Sequence, residues 1–172
     1  GGYVSLAFSV KYAHRLKALV LADTRVQADT KESRTGRFHL AQTALKQGSR
    51  AVADIMIPKL LGATSRKTKQ DLIDYVRNAI LVTPVSGIIT DLMAMADRPD
   101  SSSQLSVFSF PTLIVVGQED HTTPLSDAQL MAERAFGARL AVIPAAGHLS
   151  NLEQPQVFND LVRDFVEGIR QE

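Results

Sequence analysis

The stretch Val115-Val116-Gly117-Gln118-Glu119-Asp120, followed twenty-eight residues later by Gly147-His148, decides how this chain reads. Val115 and Val116 close a nearly continuous apolar run, Thr112 to Val116 (TLIVV). A second such run, Arg139 to Ile143 (RLAVI), ends just before Gly147. Runs that are apolar throughout, rather than alternating, belong to parallel strands covered by helices on both faces. Between them Ser126 to Phe136 places Ala128, Met131, Ala132 and Ala135 on one side of a helix. The three pieces make a βαβ unit with a right-handed crossover. Asp120 and His148 then sit in loops beyond the C-terminal ends of two strands, the edge of a parallel sheet where active sites collect.

Taken singly, the two residues say little. Asp120 serves equally well as a turn cap, and a lone loop histidine is more often inert than catalytic. As a pair they say more, because consecutive parallel strands bring their C-terminal loops side by side. A carboxylate in hydrogen-bonding range holds an imidazole in one tautomer and stabilises the imidazolium formed when it takes a proton. Acid before base is also the chain order of one particular triad-bearing fold.

A third apolar run, Lys17 to Ala22 (KALVLA), predicts another buried strand. Tyr3 to Ala13 reads as a helix suited to a buried position against the sheet. Pro155 opens the strongest helix, in which Phe158, Leu161, Val162, Phe165, Val166 and Ile169 form one stripe. The ninety or so residues between the first and second strands exceed an ordinary crossover and read as an inserted helical layer. Its candidate helices are Asp29 to Lys46, Ser49 to Leu61, Thr68 to Val82 and Pro84 to Ala96, punctuated by Gly48, Gly62, Pro84 and Pro99. The expected organisation is sheet core over 1–25, helical insertion over 26–105 and sheet core again over 106–172.

Composition excludes more than it assigns. A formal net charge of +1 over 172 residues gives no field to attract nucleic acid or an anionic membrane. The absence of cysteine removes disulfides, thiolate nucleophiles and Cys-ligated zinc together. Four dispersed histidines offer no metal-ligand spacing. His14 and His39 read as helix-surface residues, and His121 as pointing away from Asp120. No apolar run approaches the length of a membrane span and no signal peptide opens the chain, so the expectation is a soluble, cytoplasmic protein.

The chain resembles the C-terminal portion of an α/β-hydrolase-fold protein of the enol-lactonase-like esterase and lactonase branch. The residues that carry the resemblance are Gly1-Gly2-Tyr3-Val4-Ser5-Leu6-Ala7, Leu19 to Arg25 (LVLADTR), Pro111 to Asp120 (PTLIVVGQED) and Gly147 to Pro155 (GHLSNLEQP). The resemblance implies three parallel strands with flanking helices plus a helical cap insertion. It also implies a serine hydrolase of an ester, lactone or related acyl substrate, with Asp120 and His148 as acid and base and no metal or organic cofactor. Gly1-Gly2-Tyr3 resembles the tail of the family's nucleophile elbow, which puts the serine two residues upstream of Gly1. Ser5 and Ser86 do not replace it, since neither lies in Gly-x-Ser-x-Gly. Asp23 occupies the position of an alternative acid, although a role in the following turn suits it better. Arg25 is a candidate for a substrate carboxylate, or simply for a surface ion pair. Of the apolar cap residues Ile55, Met56, Leu60, Leu61, Ile80, Leu81, Met93 and Met95, the last two are the pocket candidates, since methionine adapts to ligands.

Two other readings stay open. An aspartate nucleophile would make the same pair an epoxide hydrolase or dehalogenase, and a non-catalytic binding protein could share the fold. Three strands leave a sheet edge and an apolar helix face open, inviting a missing N-terminal half or another chain.

Overall fold

In the computed structural model, which describes residues 1–169, three strands form one parallel sheet in the order β1 (Leu19–Ala22), β2 (Thr112–Gly117), β3 (Arg139–Ile143). The register pairs Leu19 with Thr112 and Ala22 with Val115, then Val115 with Ala141 and Gly117 with Ile143. All three strands therefore end at the same edge. β2 is central and buried at every position because both faces are covered, as its unbroken apolar sequence requires. Ile114 and Val116 point into a cluster with Leu6 of α1 (Gly2–Lys11) and with Ala128 and Met131 of α6 (Leu125–Arg134). Leu113 and Val115 point the other way, against Phe158, Leu161, Val162 and Phe165 of α8 (Pro155–Ile169).

Four helices lie between β1 and β2: α2 (Lys31–Leu60), α3 (Ala63–Thr68), α4 (Gln70–Val82) and α5 (Val85–Ala96). Thr30 caps α2 by accepting from the Ser33 amide. The break expected at Gly48 is present as a kink within α2, where φ 77° and ψ −178° suit glycine and few other residues. α2 packs against α4 and α5. Ala53, Ile57 and Leu61 meet Val76 in a separate core, to which Leu149 and Leu152 of the histidine loop also contribute.

Several expectations shift. Lys17 and Ala18 lie outside β1. Helix α4 starts at Gln70 rather than Thr68, because the backbone turns at Lys69 (φ −126°, ψ 69°). The short helices α3 and α7 (Ser150–Glu153) carry no periodicity long enough to read from sequence. The first helix is less buried than expected: Leu6 and Ser9 are covered, whereas Val4, Phe8, Val10 and Tyr12 are exposed. The outer edge of β1 has no strand partner among the described residues. No single described helix is long and apolar enough to cross a membrane; α4 and α5 meet that criterion only as a pair bent by 96°.

Candidate active site

At the shared C-terminal edge, Asp120 and His148 meet. His148 Nδ1 lies 2.9 Å from Asp120 Oδ2, and the Asp120 side chain is wholly buried while His148 keeps 21% of its side chain exposed. The Thr123 hydroxyl donates to the same Asp120 oxygen at 2.7 Å and lies 3.2 Å from Nδ1. Asp120 Oδ1 accepts the amides of Thr122 and Thr123 at 2.7 and 2.9 Å. Both carboxylate oxygens are thus engaged, which fixes the rotamer and leaves the acid one orientation. Burial pushes the Asp120 carboxyl up, but the bonds from His148 and Thr123 outweigh it and hold the group below its ordinary value. An ionised carboxylate on Nδ1 assigns the imidazole proton to that nitrogen. Nε2 has no hydrogen-bond partner among the described residues, so it presents a lone pair.

Three loops hold this pair, and they approach so closely that glycine is required. A Cβ on Gly117 would lie 2.1 Å from the Gly147 carbonyl oxygen, and one on Gly147 would lie 2.4 Å from the Gly62 nitrogen. The His148 amide donates to the Leu60 carbonyl at 2.9 Å, tying the histidine to the end of α2. Glu153 completes the junction from a fully buried position. Its carboxylate accepts the amides of Gly62 and Gly147, each at 2.8 Å, and more weakly that of Leu149 at 3.3 Å. Beside it Glu119 binds the amide and hydroxyl of Thr64, bonds that hold its carboxyl below the ordinary range. Neither glutamate stood out in the sequence. The nearest signal was two acids flanking Gly117 and His148, which also suits solvated loop residues.

The remaining candidates separate. Asp23 does not reach His148 by a hydrogen bond. Its Oδ1 accepts the Gly117 amide at 2.9 Å and its Oδ2 accepts from the amide and hydroxyl of Ser150. The alternative acid is therefore a brace between β1, β2 and α7, held there by a left-handed backbone (φ 46°). Burial raises its carboxyl above the ordinary value despite the bonds from Ser150 and Gly117. Asp23 lines the cleft described below, whereas Arg25 does not. Arg25 pairs with Asp127 at 3.1 Å and donates to the Thr122 carbonyl, which pins the acid loop. His121 and His14 are exposed.

His148 lines a cleft of about 1130 Å³ between the sheet edge and the helical layer. Gly1, Gly2, Tyr3 and Thr24 form its sheet side, with Thr122, Thr123 and Leu149. Across from them lie Arg37, Ile55, Met56, Leu60, Leu92 and Met95. Of the two methionines picked as pocket residues, Met95 lines the cleft and Met93 does not; α5 turns Met93 away while its neighbour Leu92 takes the inward position. Leu61, Ile80 and Leu81 also lie off the cleft, with Leu61 and Ile80 in the helical core. His39, expected on a helix surface, is exposed and lies on the cleft wall. A second hollow of about 490 Å³ lies at the opposite end of the strands, near Pro111 and Arg139, remote from this chemistry. Among the described residues no cluster of His, Asp and Glu could hold a metal.

The fold and this pair can be set beside known proteins. The chain is 26% identical to 3-oxoadipate enol-lactonase 1 of Acinetobacter baylyi over 99% of its own length and 62% of the relative's. It is 25% identical to a pimeloyl-[acyl-carrier protein] methyl ester esterase of Neisseria meningitidis, covering all of this chain and 56% of that protein. A thermophilic esterase from Thermogutta terrifontis superposes with a TM-score of 0.93 at 35% identity, covering 98% of this chain and 62% of the other. The chain thus spans less than two thirds of the length of these relatives. The profile of the Ndr family matches residues 1–170, so the chain, built on the α/β-hydrolase fold, belongs to the Ndr family.

Proposed function

We propose that the protein is a serine hydrolase of an ester, lactone or related acyl compound, in which this chain supplies the base and the acid. The observation that carries the reading is the His148–Asp120 contact at 2.9 Å, made through Nδ1 at the wall of a large cleft that His148 lines. The named relatives that hydrolyse esters and lactones support it. In this reading a serine hydroxyl outside these 172 residues attacks the carbonyl while His148 Nε2 takes its proton. His148 then returns that proton to the leaving oxygen, and water repeats the sequence to release the acid. Asp120 holds the ring in place and offsets the charge of the imidazolium. Helices α2 to α5 act as a cap over the cleft. The open edge of β1 and the exposed face of α1 pair with the rest of the protein or with a second chain.

The competing reading is a non-catalytic binding protein of the same fold. Fluorophosphonate labelling of the intact protein decides between the two. Labelling, with turnover of p-nitrophenyl acetate lost in His148→Ala, supports the hydrolase. An intact protein that neither labels nor turns over would overturn it. The 172-residue chain alone is expected to be inactive, and turnover by it that depends on His148 would refute the external serine.

A further inference from the structure

The bonds inside the acid loop settle the Asp120 rotamer, but they do not set the loop against the histidine. Asp120 takes the amides of Thr122 and Thr123 and the Thr123 hydroxyl, all from its own turn. His148 lies on another loop, beyond a different strand. Both loops are fastened to one corner of the helical layer, residues 59–64. From the histidine side, the His148 amide donates to the Leu60 carbonyl at 2.9 Å, and Glu153 accepts the Gly62 amide at 2.8 Å. From the acid side, the Thr122 hydroxyl donates to the Lys59 carbonyl at 2.9 Å. Glu119 takes both the Thr64 amide, at 2.9 Å, and the Thr64 hydroxyl. Asp120 therefore stands between two residues that are each bonded to the corner.

Glu119 is the firmer of these two holds. Its carboxylate makes charge-assisted bonds, about twice as strong as the neutral one from Thr122. Its backbone amide meanwhile donates to the Ala146 carbonyl on the histidine loop at 2.7 Å, so one residue touches all three parts. The corner is shaped to receive the side chain: Gly62 leaves open a place where a Cβ would lie 2.5 Å from Glu119 Oε2. From the sheet side Arg25 holds the Thr122 carbonyl, at the other end of the acid turn.

We propose that Glu119 is a positioning residue: through Thr64 it hangs the acid loop on the corner that also carries the histidine loop, and so keeps Asp120 Oδ2 on His148 Nδ1. What the pair does rests on the hydrolase reading; how it is held does not.

The test follows the His148 Nδ1 proton in the intact protein by NMR, beside kcat and KM for p-nitrophenyl acetate. A hydrogen bond to a buried carboxylate moves that proton far downfield and protects it from exchange with water. In Glu119→Ala the signal should retreat upfield and exchange at least about tenfold faster, as loss of a hydrogen bond to a charged group implies. The value of kcat should fall on the order of tenfold to 10²-fold with KM little changed, less than removal of the acid itself costs. Glu119→Gln separates position from charge, since its oxygen still takes the Thr64 amide and its NH2 donates to the Thr64 hydroxyl. It should restore the signal and most of kcat. Thr64→Val, which removes the hydroxyl alone, should fall between. A folded Glu119→Ala with the wild-type signal and kcat would overturn the proposal, as would a Glu119→Gln no better than the alanine. If Glu119→Ala does not fold, Thr64→Val decides, and an unmoved signal there overturns it. A protein inert to fluorophosphonate whose signal still moves in Glu119→Ala and returns in Glu119→Gln loses the hydrolase reading and keeps this one. A labelled protein whose signal and kcat ignore Glu119 does the reverse.

Discussion

Removing the Glu153 carboxylate tests whether the histidine loop is held by the helical layer. In Glu153→Ala the amides of Gly62 and Gly147, each donating at 2.8 Å into a fully buried acceptor, lose their partners together. Each buried amide left unpaired costs about 1–3 kcal/mol. The Leu149 amide, at 3.3 Å and half-buried, adds little. Two such bonds give about 2–6 kcal/mol, and a water entering the space left by the side chain draws this towards the lower end, about 2–3 kcal/mol. Glu153→Gln keeps one acceptor but turns an NH2 towards the other amide, for about 1–3 kcal/mol. Urea unfolding at unchanged m-value measures both variants. Hydrogen exchange at Gly62 and Gly147 gives the local readout, and both amides should exchange faster in Glu153→Ala. A loss below about 0.5 kcal/mol, the range of an ordinary surface change, would refute the reasoning. So would a large loss with exchange at both glycines unaltered, since the carboxylate would then stabilise something else.

Other consequences are equally direct. Gly117→Ala places a methyl within 2.1 Å of the Gly147 carbonyl, so backbone must move; the variant should lose several kcal/mol, read as a falling urea midpoint. Asp120→Asn presents an amide to Nδ1 and favours the wrong tautomer, so activity of the intact protein should fall by on the order of 10³–10⁴ in kcat with KM little changed. Acid should destabilise the chain through Asp120 and Asp29, whose carboxyls lie below their ordinary value of 3.8. Their contribution is complete above that value and is lost as pH falls through the lower folded one. Asp23, raised from 3.8, works in the opposite sense, and Asp23→Asn should steepen the acid loss followed by circular dichroism.

Sequence and structure divide the information along physical lines. β2 was legible because a strand buried on both faces must be apolar at every position, and TLIVV admits little else. α8 was legible because one long stripe has a single periodicity. Asp120 and His148 could be paired from the sequence, since adjacent parallel strands deliver their C-terminal loops to one place. α3 and α7 were not legible, because helices of a turn or two are set by what they pack on.

Side-chain destinations divide in the same way. Asp23, Arg25 and Glu153 are local in sequence but take their roles from partners far along the chain: Ser150, Thr122 and Gly62. Nothing about an aspartate after a strand says whether it will hold an imidazole or two backbone amides. Glu119 was invisible for that reason too, as its meaning depends on Thr64 and Ala146 converging from different elements. The sequence by itself determined the layers, the strand directions and the meeting of Asp120 with His148, because these follow from periodicity and chain order. Only the tertiary structure decided which charges brace the loops, because a charge takes its energy from its neighbours in space.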